Sequence, residues 1–349
     1  MIKKVLHILI YRNKFFIPLV SGICLLIVFF VISLVLKLNA KNRILNYEIF
    51  HVPFKEDVPL EAMEQVLKVV EENRNENLNN DLNFVNLLSL LAAKYRGYWS
   101  DFEDKDVNKL VCDFKKGLKE SDLSKEIENY AAFKKIYSAV FSEMVGNYSI
   151  SKIVDRNSKP VYESKFGIKS YFPIAYDFDV NFVDNFEKEN AHVNSISHLG
   201  VDISAKVQTP IVAVESGVVK SCSKTHDFGW QVVVESLDGL RTYYYSNCYG
   251  ERPFVDGLMP KTVVKAGQVL AYVGATSRCS QKFIQAQNCP HLHFGMSVKL
   301  SKDSKQSIWI NPYRILQFLQ HHKSVVQKQG DDYVAKYIFV DPNLEKHLN

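Results

Sequence analysis

The stretch CPHLHFGMSV, residues 289–298, places two histidines on either side of one leucine in a segment with the composition of a β-strand. Because side chains of a strand alternate between its two faces, His291 and His293 point to the same side. Such a pair is either a polar surface feature or part of a site. The choice depends on which other residues share this face.

A partner for the histidine pair lies about ninety residues upstream, in the stretch SHLGVDIS. His198 and Asp202 are four residues apart, so on an extended segment they also share a face. Gly200, between them, lets the backbone come close to a site. Two imidazoles and one carboxylate form the ligand set of a catalytic zinc centre, with a fourth position left for water. Together the two motifs predict a metal site.

The N-terminal segment predicts a membrane anchor. Residues 15–36 carry no charged side chain, and a helix rising about 1.5 Å per residue over this length can cross a bilayer core. Basic residues flank the segment on both sides, so the charges favour a cytoplasmic N-terminus, residues 1–14, only slightly. The net charge of +5 fits an anionic surface, but no basic block is dense enough to predict binding to nucleic acid.

Beyond residue 36 the pattern predicts an α+β protein of several domains. Apolar residues at spacings of three and four predict a small helical bundle at 55–146, followed by a polar linker at 147–165. Glycine-separated runs of β-branched and aromatic residues predict an all-β sandwich or half-barrel at 166–320. A polar tail, 321–349, follows, and His321 and His322 beside it are expected to be exposed. The core of the bundle is expected to contain an aromatic stripe, namely Tyr130, Phe133, Tyr137 and Phe141.

The cysteines give little further information. Cys279 and Cys289 bracket a short polar loop and can form a disulfide if this part of the chain is outside the cell. Five cysteines follow the apolar segment, so they cannot all pair within one chain. The chain contains no Cys-x-x-Cys motif, and a tetrathiolate metal site is therefore not supported.

The motifs HLGVDI, PIVAVESGVV, VVKAGQVLAYVG and HLHFG resemble those of the lysostaphin-type (LytM-like) zinc metallopeptidases, which cut peptide cross-bridges of bacterial peptidoglycan. The resemblance covers residues from about 170 to 315 and implies a β domain of the duplicated-hybrid-motif type. It also implies that His198, Asp202 and His293 hold a zinc ion and that the unligated His291 positions or deprotonates the attacking water. The membrane-anchored layout resembles that of family members from spore-forming Gram-positive bacteria.

The chain departs from the family at a second unligated histidine, which the family carries in a Tyr-x-His-Leu sequence. The corresponding stretch here is YYYSNCYG; the best alignment places Asn247 at the histidine position, and a shift of one residue places Ser246 there. Neither is a general base near neutral pH, although Asn247 can donate a hydrogen bond to an oxyanion. His226 is either a substitute imidazole or an exposed loop residue. The Phe-Gly turn before the first ligand is also changed, to NFEK at residues 185–188.

Two functions follow from these observations. The first is a membrane-anchored zinc endopeptidase of peptidoglycan cross-links, with activity lowered by Asn247 and with residues beyond the anchor outside the cell. The second is a catalytically silent zinc-binding scaffold or peptidoglycan-binding module of the cell envelope. The helical bundle is then a candidate contact for an envelope protein partner. The intact ligand set favours the first function, and Asn247 favours the second.

Overall fold

The computed structural model describes residues 57–74, 81–152, 161–187, 198–277, 290–342 and 344, together with position 33. The chain divides into two compact units, residues 1–51 and 52–349, and every feature described below belongs to the second unit. The predicted span at 15–36, apart from position 33, lies outside the described residues, as do Cys279 and Cys289. Among the described residues, no helix is both long and apolar enough to cross a membrane.

Helices dominate the first part of the described residues. Their bounds are α1 (Leu60–Glu72), α2 (Phe84–Lys94), a 3-10 turn (Trp99–Asp101), α3 (Asp104–Lys115), α4 (Glu120–Ser124), α5 (Tyr130–Phe141) and, much later in the chain, α6 (Tyr313–Leu319). The predicted aromatic stripe lies on α5, and all four of its rings are buried, which confirms its assignment to the core. Phe141 meets Phe84 of α2 edge to face at 5.9 Å, so α2 and α5 share an aromatic core.

Strands dominate the rest of the chain. They are β1 (Val145–Lys152), β2 (Tyr162–Ile168), β3 (Asn181–Phe182), β4 (Val201–Ser204), β5 (Pro210–Val212), β6 (Gly217–Thr225), β7 (Gly229–Ser236), β8 (Arg241–Cys248), β9 (Val263–Val264), β10 (Val269–Tyr272), β11 (His291–Val298), β12 (Ile308–Ile310), β13 (Val326–Gln329), β14 (Asp332–Ala335) and β15 (Tyr337–Val340). The predicted combination of a mostly β domain with some helices is therefore confirmed.

The largest sheet of the described residues is antiparallel and has the order β3-β4-β11-β8-β7-β6-β9, with β12 also paired to β11. Strand β11 therefore lies between β4 and β8. Its residues Leu292 and Phe294 are buried and pair with the buried Ile203 and Val201 of β4. Because residues directly opposite each other project to the same face, these four side chains form one apolar face, and the histidines of β11 project from the other.

The predicted linker at 147–165 and tail at 321–349 are wrong in the described residues. Strand β1 pairs with β2 on one side and with β15 on the other, so parts of both segments form a three-stranded sheet. Tyr148 of β1 stacks on Phe339 of β15 with their centroids 5.2 Å apart, and both rings are buried. The exposure predicted for His322 is also wrong, since its ring stacks on Tyr171 and its Nδ1 lies 2.6 Å from the Ser170 carbonyl oxygen. His321 is exposed as predicted.

A buried arginine connects the helices to the large sheet. Arg241, at the start of β8, is fully buried and makes two hydrogen bonds to the carboxylate of Glu215, at 2.9 and 3.0 Å. The same guanidinium donates to the carbonyl oxygen of Ala139 in α5, at 2.9 Å, and to Asp238, at 2.7 Å. One side chain therefore fastens the end of α5 to the sheet that carries the candidate site.

Candidate metal centre

The register of β4 and β11 brings the predicted ligands to one face of the large sheet. His293 lies directly opposite Asp202, and His291 lies directly opposite Ser204. Opposite residues of an antiparallel pair share a face, and so do residues two apart on one strand. The spacing of His291 and His293 therefore places both imidazoles on the side of the sheet that carries Asp202.

Three side chains converge on this face at hydrogen-bonding distances. Oδ1 of Asp202 lies 3.1 Å from Nε2 of His198 and 2.9 Å from Nδ1 of His293, and these two nitrogens are 3.0 Å apart. One ligand atom of each residue lies within 4.8 Å of the others, as a shared metal ion requires. His291 is close by, with Nε2 at 3.7 Å from the same Oδ1 atom, but it does not belong to this group of three.

The pKa shifts of Asp202 and His293 suit metal ligands. Burial alone raises the pKa of Asp202, but hydrogen bonds from His198 and His293 and the nearby imidazole charges outweigh burial and hold that pKa well below its usual range. For His198, burial lowers the pKa, and the hydrogen bond and charge of Asp202 reverse the shift, so the net pKa is raised. Burial lowers the pKa of His293. Asp202 is therefore ionised and His293 neutral near pH 7, the forms that bind a metal ion.

The donor set fits zinc. His198 Nδ1 lies 2.8 Å from the carbonyl oxygen of Asn185, which can only accept, so Nδ1 carries a hydrogen, and in the neutral imidazole Nε2 keeps a lone pair for a metal ion. Nε2 is the nitrogen that faces Asp202 and His293. Two imidazoles and one carboxylate are a usual ligand set of catalytic zinc sites, in which substrate or water takes the fourth position.

Gly200 provides the close backbone approach that the sequence predicted. A β-carbon at this position would lie 2.8 Å from two atoms of the His293 ring and 2.7 Å from the carbonyl oxygen of Phe294. Contacts this short do not occur for real β-carbons, and a carbonyl oxygen of β11 cannot swing aside. Only glycine therefore lets the segment between His198 and Asp202 pass so close to β11.

The side chain of Asn247, predicted to be catalytic, is bound to backbone groups in the structure. Asn247 forms a β-bulge in β8 and has a φ of 65°. Trp230 of β7 pairs with Cys248 and the next residue, Gln231, pairs with Ser246, so Asn247 has no partner on β7 in the register of the two strands. Strand alternation predicts that Asn247 shares a face with Tyr245, and this bulge breaks the alternation. Both hydrogens of its Nδ2 are used, for the carbonyl oxygens of His291 at 2.9 Å and Gly274 at 3.3 Å, so its amide does not supply an oxyanion donor.

The residue directly opposite His293 on β8 is Ser246, the other alternative that the sequence left open. Ser246 in turn pairs with Gln231 of β7, whose Nε2 donates to the serine hydroxyl at 2.7 Å. Gln231, Ser246, His293 and Asp202 thus form one row across four strands. The row contains a single imidazole, so the strand next to β11 supplies no second histidine from this register position.

The loop between β6 and β7 also reaches the site, though not through His226. The His226 side chain is 77% exposed and pairs with the neighbouring Asp227. Phe228, two residues further on, stacks on the ring of His293 with the centroids 5.2 Å apart. Phe228 could not be found from the sequence, because an aromatic residue in a loop has no spacing relation to a proposed ligand 65 residues later in the chain.

Residues 196–307 match the model of Peptidase family M23. The matched segment includes the site residues described above, namely His198, Asp202, Ser246, Asn247, His291 and His293. Peptidase family M23 is the lysostaphin-type family that the motifs resemble, so the predicted resemblance is confirmed for this segment. The match spans less than half of the chain and does not include Asn185. No curated protein is significantly similar to the chain in sequence.

Several solved structures are similar to this chain. The structure of lytM from Ruminococcus gnavus aligns with 79% of this chain and 96% of its own, at 17% identity and a TM-score of 0.47. The catalytic domain of lysostaphin from Staphylococcus simulans aligns with 40% of this chain and 92% of its own, at 22% identity and a TM-score of 0.30. A chain of the complex of SpoIIIAH and SpoIIQ aligns with 42% of this chain and 99% of its own, at 21% identity and a TM-score of 0.32.

Proposed function

We propose that the chain is a zinc endopeptidase that hydrolyses peptide bonds of peptidoglycan cross-links. The observation that carries the proposal is the convergence of His198, Asp202 and His293, with His291 beside them, inside the segment that matches Peptidase family M23. A scaffold that does not bind zinc would have no need for a complete set of ligands on one face of the sheet.

The residues divide the chemistry between them. Bound zinc supplies Lewis-acid chemistry, because it polarises a carbonyl group and lowers the pKa of a coordinated water towards about 7. His198, Asp202 and His293 would hold the ion. The side chain of His291 is 16% exposed and its Nε2 lies 3.7 Å from Asp202, so it is within reach of both the ligand set and solvent. We assign it the transfer of the proton from the attacking water towards the leaving amine.

The alternative function, a catalytically silent zinc-binding scaffold or peptidoglycan-binding module, is favoured by one specific observation. Ser246 and Gln231 continue the row of His293 across the sheet, and the amide of Asn247 is bound to backbone. His291 then has to act without a second imidazole. If the chain is an enzyme, the lack of a second imidazole lowers its rate of hydrolysis. If it is a scaffold, the same lack abolishes hydrolysis.

Digestion of purified peptidoglycan by the purified full-length chain tests the proposal. We expect new amino termini at the cross-links and about one zinc ion per chain. His291→Ala should keep the zinc and lose about 10²- to 10⁴-fold in rate, whereas His293→Ala should lose the zinc. His321→Ala, a change of an exposed histidine, serves as the control. Bound zinc without any cleavage would favour the scaffold, and a wild-type chain without zinc would contradict both functions.

We further propose that residues 15–36 anchor the chain in the cell membrane with the later residues on the wall side. The uncharged segment supports the anchor, and a peptidoglycan substrate requires the site to lie outside. Protease added to intact cells stripped of their wall should then degrade the segment that contains β11. Protection of that segment would mean the opposite orientation and would remove access to the proposed substrate.

A further inference from the structure

Asn185 contacts two of the proposed zinc ligands at once. Its Oδ1 accepts a hydrogen bond from the backbone N–H of Asp202, and its Nδ2 donates to Oδ2 of the same residue, both at 3.2 Å. Its own carbonyl oxygen accepts from Nδ1 of His198 at 2.8 Å. Three groups of one residue therefore bind the first two ligands in the sequence.

Because of these contacts, the two carboxylate oxygens of Asp202 have different partners. Oδ2 is engaged by Asn185, while Oδ1 lies 3.1 Å from His198 and 2.9 Å from His293. A carboxylate that rotated freely about its last bond could present both oxygens to a metal ion or turn away from it. With Oδ2 held by an amide donor, only Oδ1 points at the histidine nitrogens.

The position of Asn185 is itself fixed by its neighbours. Phe182, three residues earlier, pairs with Ile203 of β4, so the segment after β3 runs alongside Asp202. The carboxylate of Asp184 accepts hydrogen bonds from Asn311 at 3.2 Å, and Asn311 also donates to Asp57. Asn185, Asn311 and Asp57 all lie outside the residues that match the family model.

We propose that Asn185 is a positioning residue that holds Asp202 as a metal ligand through one oxygen and fixes the tautomer of His198. The inference rests on the proposed zinc site and adds a residue from outside the matched segment. The side chain of Asn185 makes the hydrogen bonds to Asp202, and its backbone carbonyl oxygen accepts the hydrogen bond from His198. Replacing the side chain therefore affects the carboxylate and leaves the hydrogen bond of His198 in place.

Zinc affinity of the full-length chain, measured by competition with a chromophoric chelator, tests this role. We expect Asn185→Ala to bind zinc about 10- to 100-fold more weakly than wild type, the usual cost of losing a residue that orients a ligand. Asn181→Ala is the matched control, because Asn181 is an exposed asparagine four residues earlier on the same segment. Its affinity should equal that of wild type.

Visible absorption of the cobalt(II)-substituted chain separates positioning from a general loss of stability. In Asn185→Ala the freed carboxylate can bind through both oxygens, so we expect the cobalt bands to shift and weaken, as they do when the coordination number rises. If Asn185→Ala does not fold, Asn185→Ser, whose hydroxyl is too short to replace both amide bonds, replaces it in both measurements. Wild-type affinity and an unchanged spectrum in a folded variant would overturn the role of Asn185. Failure of the wild type to bind zinc would instead overturn the proposed function.

Discussion

The orientation of each side chain in this site is set by contacts with neighbouring residues. The ring of His293 lies against Gly200 on one side and stacks on Phe228, so its orientation is set by packing. The carboxylate of Asp202 is oriented by an amide, and the backbone near His291 is held by the side chain of Asn247. The ligand set and its supporting residues are therefore expected to respond separately to substitution.

Gly200→Ala should disturb the site through steric overlap alone. The new methyl group would lie 2.8 Å from the His293 ring and 2.7 Å from a β11 carbonyl oxygen. We expect the free energy of unfolding to fall by about 1–3 kcal/mol and zinc affinity to fall at least about tenfold. Urea denaturation and chelator competition measure the two effects. Gly146→Ala, whose methyl group meets only the side chain of Lys169, at 3.3 Å, should keep zinc affinity within about twofold of wild type.

Asn247 should prove to be a residue of structure rather than of catalysis. Its Oδ1 accepts from the backbone N–H groups of Thr276 and Ser277, and its Nδ2 donates to two carbonyl oxygens. Asn247→Ala removes these four bonds and leaves a β-carbon at a φ of 65°. We expect a loss of about 3–5 kcal/mol in the free energy of unfolding, measured by urea denaturation.

The glycine variant separates the two contributions at this position. Asn247→Gly removes the same bonds but tolerates the left-handed backbone, so it should be more stable than the alanine variant by about 1 kcal/mol. An Asn247→Gly chain as stable as wild type would show that the four amide bonds contribute nothing, and the structural role would have to be abandoned.

At the scale of elements, the contact between α5 and β8 depends on one buried charge network. Arg241→Met leaves the buried carboxylate of Glu215 without its guanidinium partner, and the carbonyl oxygen of Ala139 without a donor. Breaking a buried pair from one side typically costs about 3–5 kcal/mol, and we expect a loss of that size in urea denaturation. Lys220→Met, which removes a 53% exposed partner of Glu235, should cost about 1 kcal/mol or less. Equal losses in the two variants would contradict a special role of Arg241.

The elements that carry the proposed metal ligands could be predicted from the sequence because their signals are local. Strand alternation puts His291 and His293 on one face, and a glycine between His198 and Asp202 marks a close approach. The bulge at Asn247 could not be predicted in this way. It inserts one residue into β8 only, and asparagine in an aromatic stretch does not by itself indicate a left-handed backbone.

The error at residues 147–165 has a different cause. Strand β1 mixes polar and aromatic residues, and the partner that covers it, β15, lies about 190 residues later in the chain. Pairing between such distant segments leaves no periodic pattern in either one. Asn185 was missed for a related reason, since its contacts with Asp202 depend on the pairing of β3 with β4 rather than on a motif.

At the scale of the whole molecule, stability should depend on pH through Asp57. Burial, and secondly the charge of Asp184, raise the pKa of this carboxyl group to about 7, and Arg314 opposes the shift. The folded chain thus binds this proton more tightly than the unfolded chain. The stabilising contribution is complete below about pH 4 and is lost as the pH rises through about 7.

Asp57→Asn removes this titration. We expect the stability advantage of the variant over wild type in urea denaturation to grow by about 1–3 kcal/mol between pH 5 and pH 8. Asp331→Asn, a change of an exposed aspartate, is the control and should follow wild type at both pH values. A difference between Asp57→Asn and wild type that is the same at both pH values would show that Asp57 does not ionise in this range.

The pairing of β1 with β15 has a consequence for the order in which the protein is made. Synthesis at about 5–20 residues per second separates Ser149 from its partner Val340 by roughly 10 to 40 s. During that interval the nascent chain keeps one edge of β1, and the ring of Tyr148, without the cover of Phe339. His293 is translated before Val340, so the nascent chain can contain all three proposed zinc ligands while β15 is still being translated.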